Sequence, residues 1–566
     1  MADDRTKELP KASGASIHKD IEAAPAVASH LESVKSGVKP ALDQDADVAM
    51  TLFDHPDQIH EPRDPEEEKK LVLKIDFMIL PYLAVCYAFF YIDKTTLSYA
   101  AIFGIRTDLD LQGAEYNWLS SMFYFGFLFW AFPTNFMMQR FPIGKYLGIN
   151  IFMWGFFLML QAAVHNFAGL MALRFLAGAA EACSDPSFML ITSMWYTRRQ
   201  QPVRMGLLTN PLGGCEMRLA PMEQLTNDFL NFSDVGYTAN GFGIALGGLL
   251  GYGIGSIKGS LPSWKYEFLI IGALCCIWGI VMFIFLPDSP VTAKGLTRAE
   301  KRMAVQRLRE NQTGIENKHL KWPQVHEAFM DIKLYLFFFL GVVCNVPNGG
   351  ISNFGTLIIQ GFGFSTLGTT LMQIPYGIII AISILICVYL NDRFTNKRCL
   401  FILLFLCPNI AGAFGLRYVA TDQQVGRLIC YYLTGPYNAA FVMVLSLTTA
   451  NTAGHTKKVV TNAVLFLGYC TGNIVGPFFY LSSQAPYYAL GIWSMIVSHL
   501  LEAFIIVVFW VLMSYENRRR DKIQSAMTGG LDGRDLDSTA FADMTDRENL
   551  NFRSQPVNGH AAAKSI

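Results

Sequence analysis

The chain contains twelve apolar runs, each long enough to cross a membrane as a helix. Such a helix needs roughly 20 mostly apolar residues. Runs of this kind lie near residues 75–95, 116–137, 145–164, 168–195, 237–257, 267–287, 333–353, 366–390, 399–418, 427–450, 459–481 and 490–514. Because lipid offers backbone groups no hydrogen-bond partner, each run is predicted to be helical. The predicted fold is therefore an all-α membrane protein with twelve transmembrane helices.

Charged residues are scarce in the middle of the chain and frequent at its ends. Asp, Glu, Lys and Arg make up 16% of the 566 residues, whereas an average soluble protein has about 25%. Residues 1–70 form a polar N-terminal tail, and residues 515–566 form a polar C-terminal tail. Neither tail shows apolar periodicity, so residues 1–70 and 525–566 are predicted to be disordered.

Basic residues mark alternate loops between the runs. Lys and Arg accumulate in the cytoplasmic loops of membrane proteins. One set of loops is rich in them: Arg140, Lys145, Arg198, Arg199, Arg204, Arg393, Lys397, Arg398, Lys457 and Lys458. The opposite loops hold few, chiefly Arg106, Lys258 and Lys265. Both termini are therefore predicted to be cytoplasmic, together with a central loop at 288–332 that carries a surface helix around residues 297–303.

The two halves of the chain resemble each other, as in carriers built from two six-helix repeats. Arg174 in span four and Arg427 in span ten lie 253 residues apart. Glycine ladders in spans five and eleven, paired at Gly243 and Gly468, lie only 225 residues apart, which is 28 fewer. The first half is therefore predicted to contain an insertion that the second half lacks.

The insertion is predicted at about residues 208–236. This segment carries Glu216, Arg218 and Glu223, and one charge at the centre of a membrane helix costs roughly 2.5–3.5 kcal/mol. It is either a lineage-specific cytoplasmic loop or a translated, unspliced intron. The two six-helix halves are then predicted at residues 71–287 and 333–514. The glycine ladders within them are expected to let neighbouring helices pack closely.

Four ionisable residues inside the runs are candidates for transport, because such groups are costly in lipid. Asp93 and Glu181 are candidate proton-coupling residues, since burial disfavours the charged carboxylate. Lys94 and Arg174 are candidate anion-binding residues. Asp93 and Lys94 are expected at the end of the first helix, and Arg174 and Glu181 on one face of the fourth, lining one cavity. The alternative is that all four form interfacial or interhelical pairs.

Amide side chains in the second half are candidates for orienting a polar substrate. They are Asn345 and Asn348 in span seven, Gln373 in span eight and Asn473 in span eleven. Hydrogen bonds between helices account for them equally well. The run from Asn345 to Gly350 contains a proline and is expected to break its helix.

The remaining patterns argue against an enzyme. We find no metal-ligand cluster, nucleophile elbow or phosphate loop, so neither a metal nor a cofactor is predicted. His165 and His499 are isolated in the sequence and are expected to be structural. The formal net charge is zero, which gives no indication of nucleic-acid binding.

Several motifs are similar to those of a known carrier family. The pattern Arg174-x-x-x-Gly178-x-x-Glu181, followed by Pro186 and Trp195-Tyr196-x-Arg198-Arg199, resembles the anion:cation symporter family of the major facilitator superfamily. Segments 93–100, 139–145, 286–290, 454–458 and 472–477 resemble its fungal allantoate permease branch. The resemblance covers about residues 70–520, except the insertion.

The resemblance implies proton-coupled uptake of an organic anion such as allantoate, ureidosuccinate or a vitamin acid, by alternating access. The family's acidic and arginine positions match Asp93, Arg174 and Glu181. Lys94 replaces an arginine, which removes bidentate recognition of a carboxylate. Gln200 replaces a glutamate after span four, which predicts a looser gate.

The expected partners are the anion, protons and the lipid bilayer, and the protein is expected to be a monomer in the plasma membrane. Two alternatives stay open. One is a nutrient sensor that keeps the fold without transporting, and the other is a carrier impaired by the insertion before span five.

Overall fold

The computed structural model describes residues 65–196, 238–309, 321–394, 397–526 and 545–547. Within these ranges the backbone forms helices and turns, and no strand occurs. The predicted insertion at 208–236, Gln200 and residues 1–64 lie outside the described residues.

The first half contains the following helices: α1 (Pro65–Ile102), α2 (Ile105–Asp108), α3 (Glu115–Arg140), α4 (Ile143–Gln161), α5 (Phe167–Glu181), α6 (Ser184–Trp195), α7 (Thr238–Gly255) and α8 (Ser263–Phe285). Two helices connect the halves: α9 (Arg298–Arg309) and α10 (Trp322–Phe329). The second half contains α11 (Ile332–Gln360), α12 (Thr366–Arg393), α13 (Arg398–Tyr418), α14 (Gln424–Tyr432), α15 (Tyr437–Ala450), α16 (His455–Val475) and α17 (Ala489–Ala526), with short 3-10 turns at Gly476–Phe479 and Ser482–Gln484.

These helices make twelve long passages in the described ranges, which confirms the predicted fold class. The fourth passage consists of α5 and α6, and the tenth of α14 and α15. By length and composition, ten of the twelve are apolar enough to cross a membrane. The other two are α3, which is rich in aromatic residues, and α7, which is rich in glycine.

Two predicted helix boundaries in the first and seventh passages are wrong. Asp93 and Lys94 do not end the first helix, because α1 continues to Ile102. The hydroxyl groups of Thr95 and Thr96 donate to the Ile92 carbonyl at 2.8 and 3.0 Å, so these polar residues fit inside the helix. The expected break in the seventh passage is also absent, since α11 runs unbroken through its proline.

Two other passages are broken where no break was predicted. The fourth turns at residues 182–183, between α5 and α6, and the tenth turns at residues 433–436, between α14 and α15. The second turn contains Gly435 and Pro436, and proline favours the start of the next helix. The two breaks follow Arg174 and Arg427, the pair that relates the halves, so they are part of the repeat.

The basic loops lie at one end of the bundle, called here the basic end. There α9 docks on α1 through Lys74, whose ammonium lies 2.9 Å from the Glu300 carboxylate, and through Arg307, which lies 3.4 Å from Glu68. The helix predicted within the central loop is therefore confirmed, and it is attached to the first half.

The C-terminal tail returns to the basic end at Thr545–Arg547. Asp546 is fully buried between Lys333 and Lys457, and Thr545 donates to the Glu327 carboxylate at 2.9 Å. Burial opposes ionisation, but the two lysines outweigh it and hold the pKa of Asp546 below its ordinary value. The predicted disorder of residues 525–566 is therefore wrong for these three residues and for residues 525–526, which end α17. In the same way, the predicted disorder of residues 1–70 is wrong for residues 65–70, which begin α1.

Glycines set the closest helix contacts within each half. A Cβ on Gly155 of α4 would lie 2.7 Å from the backbone nitrogen of Cys276 on α8. A Cβ on Gly178 of α5 would collide with the Phe123 carbonyl of α3. Gly178 thus belongs to the motif because two backbones touch there.

The two glycine ladders perform the same task in the two halves. A Cβ on Gly247 of α7 would lie 2.9 Å from Thr95 of α1, and one on Gly472 of α16 would lie 2.9 Å from Asn345 of α11. The expectation that the ladders allow close packing is confirmed. Between the halves, α1 contacts α11, α7 contacts α12, and α3 contacts α16.

We predict that Gly155→Ala destabilises the protein by about 1–3 kcal/mol, because the new methyl group forces two backbones apart. The matched control is Gly253→Ala in α7, where a Cβ meets nothing within 4 Å. Thermal unfolding of the detergent-purified variants measures the difference. Equal melting temperatures for the two variants would contradict the packing assignment.

Candidate functional site

A cavity of about 860 Å³ lies between the two halves. Its walls come from α1, α3, α5, α6 and α7 on one side, and from α11, α12, α14, α15 and α16 on the other. In the described residues, α4, α8, α13 and α17 contribute no lining side chain, so these four helices form the outer layer. The cavity is thus shared by the inner helices of both repeats.

The cavity extends toward the basic end. Its lining includes Asn135, close to the end of α3, and Lys458 and Asn462, close to the start of α16. The halves also meet along two lateral sides of the cavity. On one side α3 packs against α16, and this contact is less extensive than the contact between α7 and α12 on the other side.

The opposite end of the cavity is sealed by hydrogen bonds between the halves. Ser98 and Thr356 hydroxyls lie 2.7 Å apart, and Asn117 Nδ2 donates to the Pro477 carbonyl at 2.6 Å. The Tyr116 hydroxyl donates to the Asn353 carbonyl at 2.8 Å. Aromatic rings close the remaining space, with Phe354 lying 4.9 Å from Tyr480 and 5.1 Å from Tyr116 between ring centroids. Among the described residues, the cavity is therefore closed at this end and open toward the basic end.

Opposite charges face each other on the first-half wall. Lys94 of α1, Glu181 at the end of α5 and Asp185 in the first turn of α6 all line the cavity. Lys94 interacts electrostatically with both carboxylates, and its ammonium lies 4.9 Å from the Tyr91 ring centroid. Among the described residues, no carboxylate is close enough to Lys94 for a direct ion pair. An anion can therefore approach the ammonium from the cavity.

The break between α5 and α6 explains the position of the two carboxylates. Glu181 is the last residue of α5, and its Oε2 has no hydrogen-bond partner among the described residues. Asp185 accepts a hydrogen bond of 3.4 Å from Tyr87 and benefits from the positive end of the α6 dipole. Asp185 was not predicted as a site residue from the sequence. It follows Glu181 by four residues, however, and residues at this spacing are neighbours on a helix surface.

Three predicted site residues do not line the cavity. Asp93 and Arg174 lie behind the first-half wall, where the Trp154 indole donates to Asp93 Oδ2 at 3.1 Å. Arg174 interacts electrostatically with Asp93 and lies 5.8 Å from the Phe123 ring centroid. The expectation that Arg174 and Glu181 line one cavity is therefore wrong in this conformation, because the Arg174 side chain lies near Asp93 of α1 and Phe123 of α3. Asn473 is the third such residue.

Amide groups form a connected network on the second-half wall. Asn348 donates to Asn473 Oδ1 at 2.8 Å and accepts from the Tyr437 hydroxyl at 2.7 Å. Asn473 in turn lies 3.4 Å from Asn345 Oδ1. Asn345, Asn348 and Tyr437 line the cavity, whereas Asn473 supports them from behind. The expected hydrogen bonds between helices are therefore present, and the role of these amides in orienting a substrate stays a prediction.

Other polar side chains complete the cavity wall. Gln373 of α12 lines it beside Tyr431. Asn240 of α7 donates to Asn438 Oδ1 of α15 at 3.0 Å, across the two halves. No group of three or more His, Cys, Asp or Glu side chains in the described residues could hold a metal ion.

One histidine has a neighbouring carboxylate that was not predicted. His499 of α17 is fully buried and its Nδ1 lies 3.5 Å from the Glu502 carboxylate. The expectation that His499 is isolated is therefore wrong, because Glu502 follows it by three residues on the same helix face.

Comparisons with known proteins agree on one family. The model of the Major Facilitator Superfamily matches residues 83–213 and 235–477, which is more than half of the chain. The allantoate permease of Saccharomyces cerevisiae is 31% identical over 554 residues, covering 95% of this chain and 94% of the relative. A transporter of Schizosaccharomyces pombe is 36% identical over 488 residues, covering 86% of this chain and 87% of the relative.

Solved structures share the fold at low sequence identity. A bacterial homologue of the human lysosomal transporter Spinster, in an inward-facing and occupied conformation, matches with a TM-score of 0.55 at 14% identity. The match covers 77% of this chain and 96% of that one. A D-xylose-proton symporter matches with a TM-score of 0.52 at 14% identity, covering 76% of this chain and 97% of the other.

The one-sided opening predicts one-sided chemical labelling. In membrane vesicles, Asn462→Cys is expected to react with an impermeant maleimide applied from the basic end, because the cavity is open there. The same reagent applied from the opposite side is expected to leave it unlabelled. Lys258→Cys, on an exposed loop at the opposite end, is the control and should show the reverse pattern. Labelling of Asn462→Cys only from the opposite side would contradict the described conformation.

Proposed function

The chain belongs to the major facilitator superfamily, and on that premise we propose that it is a proton-coupled symporter of a small organic anion. The observation that carries the proposal is the position of Lys94, which faces Glu181 and Asp185 inside the cavity between the halves. A cation opposite two carboxylates, in a cavity shared by both repeats, is a suitable site for binding an anion together with protons.

Charge balance provides the coupling. An anion adds a negative charge to a cavity in which one ammonium already faces two carboxylates. Protonation of Glu181 or Asp185 removes one negative charge, so each ligand makes the other bind more strongly. This reciprocity lets a proton gradient drive the anion, and each proton that enters gains about 2.3 kcal/mol per 100 mV of membrane potential.

The first-half residues behind the wall have a positioning role in this proposal. Trp154 and Arg174 hold Asp93 against α4 and α5. The helices that carry Lys94 and Glu181 then move as one body when the halves rock. Asp93 does not line the cavity, so we propose that it contributes to proton coupling through the electrostatic effect of its charge on Lys94. Arg174 interacts with Asp93, and its effect on the bound anion is therefore indirect, through Asp93 and Lys94.

The second-half wall supports the choice of a polar anion. Asn345, Asn348 and Gln373 offer both donors and acceptors to the cavity. A ureido or amide group on the substrate would match them, and a carboxylate would match Lys94. The allantoate permease and the thiamine pathway transporter of Saccharomyces cerevisiae, which is 30% identical over 490 residues, are relatives whose names fit this range.

Orientation and location are part of the proposal. If the basic end faces the cytoplasm, both termini are cytoplasmic and the described cavity is the inward-facing state, from which substrate leaves. Import then requires that the seal at Ser98 and Thr356 opens while the basic end closes. We propose that the protein is located in the plasma membrane. We also propose that it is a monomer, since each chain contains a whole cavity.

Two alternatives to a working symporter are a nutrient sensor and a carrier impaired by the insertion. One observation favours the impaired carrier. The family match is interrupted at residues 214–234, inside the predicted insertion. Uptake of radiolabelled allantoate and a panel of ureides, vitamins and dipeptides into liposomes, by the full chain and by a variant lacking residues 208–236, separates the cases. Flux only in the shortened variant would favour impairment, and binding without flux in both would favour a sensor.

Removal of the Glu181 proton site should uncouple transport. Glu181→Gln is expected to abolish accumulation driven by an acid outside pH while it preserves exchange of internal for external substrate. The control is Glu267→Gln, which alters a buried carboxylate of α8 outside the cavity. Accumulation at the wild-type level in Glu181→Gln would remove this residue from the coupling site.

Removal of the Lys94 charge should weaken anion binding. Lys94→Met is expected to raise KM at least about tenfold, since hydrogen bonds to charged groups contribute about 1.5–3 kcal/mol. Lys94→Arg should keep most of the affinity, because it keeps the charge. Lys258→Met, at an exposed lysine of the opposite end, is the control. An unchanged KM in Lys94→Met would exclude the ammonium from the anion site.

A further inference from the structure

The second half contains a buried ionisable pair that the proposed cavity site does not use. His499 and Glu502 lie on α17, with Nδ1 of the imidazole 3.5 Å from the carboxylate, and their side chains are 0% and 1% exposed. Neither residue lines the cavity. A carboxylate and an imidazole in the membrane are costly, so a pair kept at this depth calls for a chemical explanation.

The pair is not fully satisfied by its surroundings. In the described part of the chain, neither ring nitrogen of His499 makes a hydrogen bond, and Glu502 Oε1 also has no partner. A buried pair with a purely structural role normally has its remaining polar atoms satisfied, because otherwise the desolvation cost is not offset. The unpartnered atoms point instead to a group whose proton comes and goes.

The neighbouring elements contribute few other titratable groups. From α11, the Cys344 thiol lies beside Glu502. From α15, the Tyr437 ring lies 6.3 Å from the imidazole between centroids. On α13, Arg398 and Cys399 lie in the first turn and Arg417 and Tyr418 in the last, and the one titratable side chain between them is the exposed Cys407. The 3-10 turn at 476–479 carries no titratable side chain. No further charge competes with the pair for its proton among these described neighbours.

Tyr437 connects the pair to the cavity. Its ring packs against His499, and its hydroxyl donates to Asn348 Oδ1 at 2.7 Å. Tyr437 and Asn348 both line the cavity. Asn348 Oδ1 also accepts from the Ser352 hydroxyl at 3.4 Å, so a ligand that donates to this oxygen competes with both hydroxyl groups. When the tyrosine hydroxyl is displaced, its ring is free to shift against the imidazole.

From this arrangement we propose that His499 and Glu502 form a second proton-binding site, located in the second half and linked to the cavity through Tyr437 and Asn348. The site rests on the proposed proton-coupled function but uses different residues from it. Its ligand is one proton, held between the imidazole and the carboxylate. With the proton bound the pair is neutral overall, and without it the pair carries one negative charge.

The proton gives the second half its own contribution to coupling. Glu181 and Asp185 take up protons beside the anion on the first-half wall. The His499–Glu502 pair would take up a further proton on the other side of the cavity, so that a monovalent anion would enter with net positive charge. Without its proton the pair is a buried negative charge, which makes the conformational change of the second half more costly. Turnover is therefore favoured only when the proton is bound to the pair.

The test needs no substrate. Infrared difference spectra between acidic and alkaline pH are recorded on the full chain in lipid membranes. We expect a carboxyl band that is lost in Glu502→Gln and lost or displaced in His499→Gln, with thermal unfolding confirming that both variants fold. Glu267→Gln is the matched control, because it removes a buried carboxylate that has no imidazole paired with it among the described residues. Any signal of its own carboxyl group disappears in this variant, but the band that is lost in Glu502→Gln should stay in place. A spectrum that is unchanged in Glu502→Gln and in His499→Gln would overturn the proposal.

The link to the cavity is tested by Tyr437→Phe, which keeps the ring and removes the hydroxyl. We expect the same band to shift in this variant, because the ring is no longer held by Asn348. A band that is lost in Glu502→Gln but unmoved in Tyr437→Phe would overturn the link. Because these spectra require no transport, they can fail while Glu181→Gln behaves as proposed, and the reverse also holds.

Discussion

The bilayer's inability to hydrogen-bond a polar group governs this structure at every level. It requires the backbone to form helices, and it requires ionisable side chains to face one another or an aqueous space. Lys94 and Glu181 meet this requirement at the cavity wall, whereas Asp93 meets it through Trp154 behind the wall. The same requirement brings His499 and Glu502 together on α17.

The two repeats use the cavity differently, although they share their packing. The first half presents the charges, Lys94, Glu181 and Asp185, while the second half presents amides around Asn348. Glycine ladders in α7 and α16 make equivalent contacts with the first helix of their own half. A common scaffold therefore carries two dissimilar walls, which suits recognition of a substrate with a charged end and a neutral polar end.

Sequence reasoning reached those features that depend on composition along the chain. Twelve apolar runs predicted the passages, and ionisable residues within the runs identified Lys94 and Glu181 as candidates for transport, although not as neighbours on one wall. It did not predict that Arg174 points away from the cavity, because direction depends on how α5 packs on α3. It overlooked Asp185 and Glu502, the partner of His499, although their spacings of four residues from Glu181 and three residues from His499 are visible in the sequence. The break between α5 and α6 became visible only when the helices were placed.

The docked C-terminal tail has a consequence for how the chain is made. Lys333 and Lys457 are buried at the basic end, and Asp546 supplies their counter-charge from a segment that follows the last membrane passage. Until the ribosome has synthesised this segment, that cluster lacks one of its anions. A reading frame that ends early, for instance through a mis-spliced message, leaves buried positive charge exposed to quality control. A product that ends before Asp546 therefore lacks part of the charge balance of the basic end.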